Sequence, residues 1–329
     1  MATLRKSNIE LLRIVSIVMV LIVHLDGASL GLPEPMGNIT TVSGRDWWKL
    51  VVESFAIIGV NCFTLISGYF GIKAHWRGFV KFATTCLFYS VGIYLALTFT
   101  GLIKWQWTDF AHSVMVFTHT DLWYVPAYMV LYLLSPILNQ AINTLDRQKY
   151  LWTIMALVAF NLYAGWWWGG SFNATGYSVM QLVMMYLIGQ YIGRYGLFGN
   201  RFDNRKSYLT IYLIATAAII AQSLYCNSLF TFAYNSPFVI IASVAFFMCF
   251  TTFTLQSTAI NMLSASAFAV YLLHKNPYIW GGIIKRTSLY MWESLSLPMF
   301  TLATIAFVAV IYLVTVAIDR IRIAITSRI

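Results

Sequence analysis

The stretch NIELLRIVSIVMVLIVH, residues 8–24, decides the fold. It approaches the ~20 apolar residues that cross a bilayer, yet it carries Glu10, Arg13 and His24. An ionisable side chain at mid-membrane costs about 2.5–3.5 kcal/mol on insertion scales, so each of the three needs a reason. At about 100° per residue, His24 returns to within about 20° of Arg13 after three turns, and Glu10 lies about 60° away. All three share one face, with His24 about 16 Å further along the axis. Asp26 points almost opposite, near the outer end, where it is expected to be solvated.

The rest of the chain agrees with a membrane setting. Of 329 residues, 60% are hydrophobic and 10% are charged, with a mean hydropathy of +0.73. Soluble domains hold about 45–50% apolar and about 25% charged residues. Lipid must therefore be the solvent for most of the surface, and an all-α bundle is the expected class. Apolar runs mark about ten spans. They cover Ile9–Ser29, Trp48–Tyr69, Phe79–Ile103, Leu122–Leu138, Tyr150–Ala164, Ser178–Gly193, Ser207–Tyr225, Ser236–Leu255, Ser264–Tyr278 and Leu297–Ile318. The basic start of the chain followed by an apolar run looks like a secretory leader. Arg13 and His24 interrupt that run and further spans follow, so it reads as a retained first helix. Residues 1–329 read as one integral membrane domain without repeat or linker.

The net charge of +10 does not point to nucleic acid, because the basic residues sit in short clusters between apolar runs. That is a topology signal. With both termini cytoplasmic, the inner side holds Arg5, Lys6, Lys73, Arg77, Lys81, Arg147, Lys149, Arg194, Arg201, Arg205 and Lys206, and a C-terminal tail with Arg320, Arg322 and Arg328. The outer side holds Arg45, Lys49, Lys104, Lys275, Lys285 and Arg286. Trp47, Trp48, Trp105, Trp107, Trp123 and Trp166–Trp168 fall at the outer boundary as an interfacial belt; stacking on a sugar is the alternative for Trp166–Trp168. The four cysteines show no metal-ligand spacing and read as buried thiols, and no metal is expected.

Within this frame Glu10 and Arg13 are close enough to pair, which lowers the cost of burying each. His24 is either a satisfied core histidine or a general base, since neutral imidazole accepts a hydroxyl proton near neutral pH. Tyr124, Tyr128, Tyr132, Ser135 and Asn139 fall within an arc of about 80°, and should face a polar interior or act as helix glue. Tyr271, His274, Lys275 and Tyr278, at i, i+3, i+4 and i+7, repeat the theme where the helix meets Asn276-Pro277. Trp123, Tyr124, Tyr128, Tyr271 and His274 are the candidate acceptor-lining residues. Lys73, His75, Arg77 and Lys81 are either a plain inside signal or the phosphate-binding mouth for an anionic donor.

The first stretch resembles the opening helix of the acyltransferase 3 family of membrane O-acyltransferases, with its arginine and histidine eleven apart, here Arg13 and His24. GVNCFTLISGYF (59–70), LWYVPAYMVLYLLSPILN (122–139) and SASAFAVYLLH (264–274) continue the resemblance in the family's order. The branch is similar to bacterial surface-polysaccharide O-acetyltransferases. The resemblance implies acetyl-CoA or another acyl-CoA as cytoplasmic donor, a glycan or lipid-linked sugar as acceptor, and a bacterial cytoplasmic membrane as the location. It also implies essential roles for Arg13 and His24, with Glu10 holding Arg13. Many members carry R-x-x-R after the second helix, associated with the CoA phosphates. This chain departs from that, offering Arg77 and Lys81, with Lys73 upstream. The alternative is a glycan or lipid-linked sugar transporter without acyl transfer, against which stands the lack of a broken-helix repeat. Oligomeric state stays open, a homo-oligomer included. Sequons at Asn38 and Asn173 fall in expected outer loops.

Overall fold

The computed structural model describes residues 6–34, 42–118, 122–170, 172–197 and 204–326, all helices and connections with no strand among them. α1 (Ser7–Val23) runs into a wider, π-helical segment at His24–Ala28. α2 (Gly44–Ala56), α3 (Gly59–Phe70), α4 (Trp76–Phe99), α5 (Trp107–Val114) and α6 (Tyr124–Asn143) follow. α7 (Arg147–Phe160) widens into a second π-helical segment at Asn161–Trp167. Then come α8 (Val179–Tyr195), α9 (Arg205–Ser223), α10 (Ser228–Thr231), α11 (Pro237–Thr251), α12 (Thr258–Ser264) and α13 (Ala267–His274). α14 (Pro277–Ile279), a π-helical segment at Trp280–Ile284, α15 (Lys285–Ser294) and α16 (Leu297–Thr326) complete the chain. Among the described residues, Ser7–Ala28, Gly44–Phe70, Trp76–Phe99, Tyr124–Asn143 and Leu297–Ile325 are long and apolar enough to cross a membrane. Pro237–Thr251 and Thr258–His274 are shorter apolar helices.

Side-chain placement is inverted relative to a water-soluble bundle. On α6, Val130, Leu133, Leu134 and Ile137 are exposed while Ser135 is buried. On α16, Leu302, Ile305, Val310, Leu313 and Val314 are exposed while Thr304, Thr315 and Asp319 are buried. α9 exposes Leu209, Leu213 and Ile214 and buries Tyr208, Tyr212 and Thr216. On these helices an apolar outward face with polar groups turned inward is what lipid as solvent selects. The protein is a multi-pass, all-helical membrane protein.

Two compact units form: Met1–Lys73 with Val130–Ser264, and Ala74–Met129 with Ala265–Ile329. In the first, α3 and α8 cross at small residues, the usual way membrane helices approach closely. A Cβ on Gly68 would meet the Tyr186 carbonyl oxygen, one on Gly189 the Leu65 carbonyl, and one on Gly193 the Tyr69 carbonyl at 2.7 Å. Backbone cannot yield as a flexible side chain does. Gly68→Ala is therefore expected to destabilise by about 1–3 kcal/mol or more, the range for overpacking, seen as a lower unfolding midpoint in detergent.

A buried amide network ties α8 to α3 and to the segment before it. Gln181 Nε2 donates to Asn61 Oδ1 (3.1 Å) and to the Tyr234 carbonyl (2.9 Å). Asn173 Nδ2 donates to Asn161 Oδ1 (2.7 Å), and Asn173 Oδ1 accepts from Ser178 Oγ (2.6 Å). The expected sequon at Asn173 is thus in an interior amide cluster and cannot carry a glycan in this fold, since both ends of its side chain are engaged. Asn38 lies outside the described residues. Trp166 stacks on Phe230 at 4.3 Å and donates to the Phe230 carbonyl at 2.9 Å. This leaves Trp167 and Trp168 as the exposed members of the triplet.

The second unit is knit by a buried ion pair that the sequence reading places in a solvated tail. α16 runs past the expected end of the last span at Ile318 to Thr326, which carries Arg322 inward. Its Nε donates to Asp319 Oδ1 at 2.6 Å and its Nη1 to Thr85 Oγ1 at 3.1 Å, while Tyr89 OH donates to the same Asp319 oxygen at 3.1 Å. The helix continues because its backbone loses nothing by extending, and the Asp–Arg pair at i, i+3 satisfies its own charges.

Candidate functional site

The charged face of the first helix forms as its spacing predicts. Arg13 Nη1 stands 3.7 Å from Glu10 Oε2, and the same oxygen accepts from Ser264 Oγ at 2.6 Å. Glu10 is buried and Arg13 part-exposed, so the carboxylate holds one edge of the guanidinium. Around the pair, Ser7 Oγ donates to Asn261 Oδ1 (2.9 Å) and Asn8 Nδ2 to the Phe250 carbonyl (2.7 Å). These bonds fix α1 against α12 and α11, so the register of the face is set at its N-terminal end.

His24 is half-buried at the junction of α1 and the π-helical segment. Its amide bonds to the Val20 and Leu21 carbonyls, keeping it in the α1 register, and its carbonyl accepts from Ser29 Oγ at 3.0 Å. Single π-helical turns of this kind are frequent at functional sites. Beyond this junction the structure corrects the reading of Asp26. Its side chain is 1% exposed and faces Lys49 and Glu53 rather than solvent. The expectation failed because α2 packs against α1 and the π-helical segment that follows it, which encloses Asp26. Glu53, itself 3% exposed, was missed. Its signal was a carboxylate inside the run Gly44–Phe70, four residues after Lys49.

In the second unit the aromatic candidates gather. Tyr124 stacks on Tyr128 at 5.6 Å and meets Tyr271 edge-on at 5.9 Å, and Trp123 meets Tyr124 at 5.8 Å. Tyr271 lies 6.0 Å from His274, which is fully buried. His274 Nδ1 bonds the Val270 carbonyl at 2.6 Å, which puts the lone pair of the neutral ring on Nε2. The stripe expected to continue through Lys275 and Tyr278 breaks at Asn276, whose side chain caps α14 by accepting from the Tyr278 amide at 3.1 Å. Lys275 instead lies over Trp280 at 4.4 Å, and Tyr278 OH donates to Asp109 at 3.2 Å.

Of the basic candidates, Lys73 belongs to the first unit and Arg77 and Lys81 to the second, and all three are exposed. His75 acts as N-cap of α4, its Nδ1 accepting from the Gly78 amide at 2.8 Å. Arg77 and Lys81 are therefore mounted on the first turns of a helix whose own N-terminus favours anions. Asn139 holds the segment before them. It donates to the Ile72 carbonyl at 2.9 Å and accepts from Tyr186 OH at 2.7 Å.

Compared with known protein families, the chain matches the acyltransferase domain over residues 6–317. No curated protein and no solved structure matched it.

Proposed function

The chain belongs to the acyltransferase 3 family and is a membrane acyltransferase, and from that premise we propose that it moves an acyl group, acetyl by family precedent, from cytoplasmic acyl-CoA to a hydroxyl of a cell-surface or lipid-linked glycan. The setting proposed is a bacterial cytoplasmic membrane, with about ten spans and both termini inside. The observation that supports this best is the pairing of buried Glu10, anchored by Ser264, with part-exposed Arg13 on the helix that leads to His24. Charges kept inside a membrane helix at such cost serve a polar step.

In the proposed chemistry His24 takes the proton of the acceptor hydroxyl. The oxygen attacks the thioester carbonyl, the C–S bond breaks as the C–O bond forms, and the proton passes from the imidazolium to the departing CoA thiolate. Arg13, steadied by Glu10, offers its other donors to the negative charge that develops on the donor. Lys73, Arg77 and Lys81 meet the CoA phosphates. Trp123, Tyr124, Tyr128, Tyr271 and His274 supply aromatic faces and hydrogen-bond groups to the sugar.

Membranes containing the protein and supplied with acetyl-labelled acetyl-CoA should transfer label to their glycan fraction; label that stays wholly in acetyl-CoA contradicts the proposal. Changing Lys73, Arg77 and Lys81 together to Gln should raise the KM for acyl-CoA by about 10–100-fold with little change in kcat, because three contacts to charged groups of about 0.5–1 kcal/mol each are lost at exposed sites. An equal fall in kcat with KM unchanged would take the phosphates elsewhere.

A further inference from the structure

α2 meets the segment that follows α1 through Lys49 and Glu53, with Asp46 pairing to Lys49 one turn earlier. Asp46, Lys49 and Glu53 stand at i, i+3 and i+7 and so share a face. Lys49 Nζ donates to the Gly31 carbonyl at 3.0 Å and pairs with Asp46 at 3.2 Å. The Glu53 carboxylate lies against the backbone at Gly27, within hydrogen-bonding reach of its amide. Gly27 lies inside the π-helical segment that starts at His24, and a Cβ placed on it would stand 3.1–3.3 Å from the Glu53 carboxylate atoms. Neither oxygen of Asp26 has a hydrogen-bond partner among the described residues, nor does Glu53 Oε2. Two carboxylates are thus kept in the interior beside one turn of backbone, and only one of their contacts is to a hydrogen-bond donor of that turn.

We infer that Glu53 is a positioning residue for His24, acting through the Gly27 amide to hold the π-helical turn. A π-helical turn is less favourable than the α-helical one it replaces, and persists where something outside the helix takes up its polar groups. Glu53 does this at the third residue beyond His24 after Leu25 and Asp26. A Cβ at position 27 would crowd the carboxylate, which would have to draw back by a few tenths of an ångström to admit it. Without the bond the turn is free to rewind, and the ring at its start moves with it. A shift of about 1 Å in a reacting group costs on the order of a hundredfold in rate.

The inference rests on His24 being the reacting base, and its tests separate the two. Glu53→Ala should lower kcat by about 10–100-fold with the KM for acyl-CoA unchanged. Glu53→Gln, whose carbonyl oxygen can still accept from Gly27, should recover kcat to within about threefold of wild type, at equal protein levels. A wild-type kcat in folded Glu53→Ala, or a Glu53→Gln as slow as Glu53→Ala, would overturn it; the second outcome would mean that the acid itself reacts. Should Glu53→Ala fail to accumulate, Gly27→Ala decides. By pushing the carboxylate off the turn it should lower kcat with the KM for acyl-CoA unchanged, and a wild-type kcat in folded Gly27→Ala would overturn the inference. If His24→Ala transfers at the wild-type rate, it is the proposed reaction that fails, whatever Glu53 does.

Discussion

His24→Ala should lower acyl transfer by about 10²–10⁴-fold, the contribution of a positioned general base, without loss of folded protein. The local bonds of His24 make the second half of that expectation firm. Its amide and carbonyl contacts to Val20, Leu21 and Ser29 are main-chain contacts that alanine keeps. The ring is half-buried rather than central to the core, so its removal opens no large cavity. His24→Gln keeps a hydrogen-bonding side chain of similar length but cannot carry the proton, and should be nearly as slow. Initial rates of label transfer in membranes adjusted to equal protein measure both. A rate within twofold of wild type in either variant removes His24 from the chemistry.

Asp319→Ala should be the most damaging change to stability, by about 3–5 kcal/mol, because it leaves a buried guanidinium without its counter-charge. Arg322 is 5% exposed and has its Nε committed to Asp319, while Thr85 can offer only a neutral oxygen. Tyr89 OH would lose its acceptor at the same time. The signature that separates this from ordinary cavity formation is a second variant. Replacing both partners, as in Asp319→Leu with Arg322→Met, removes the stranded charge and should recover most of the loss, since apolar pairs replace buried ion pairs at little net cost. Unfolding midpoints in detergent provide the comparison. A double variant as unstable as Asp319→Ala would show that packing, not charge, is what the pair supplies.

How much of this was legible beforehand depended on whether a signal lay within one helix. Glu10 and Arg13 pair as their i, i+3 spacing implies, and the Tyr124–Tyr128 and Tyr271–His274 sets meet because helical periodicity alone aligns them. The aligned stripe ends after His274 because Asn276 and Pro277 start a new helix, a break that the dipeptide announced. What was hidden required knowing a neighbour. Asp26 looked solvated because a helical wheel places it away from His24, and nothing in residues 8–24 tells that α2 encloses it. Arg322 looked like a tail charge because hydropathy falls where Asp319 and Arg320 begin, although the helix runs on. The sequon at Asn173 looked like a loop feature because its Gly-rich, uncharged surroundings resemble one. In the fold those amides bond each other.

The reaction is most directly tested by following free CoA thiol in vesicles that hold the purified protein, acetyl-CoA and the glycan acceptor. Transfer to a glycan hydroxyl predicts one thiol released for each acetyl group gained by the glycan, and no release from His24→Ala vesicles. Passage of the glycan across the membrane with no thiol released would contradict it and identify a carrier instead.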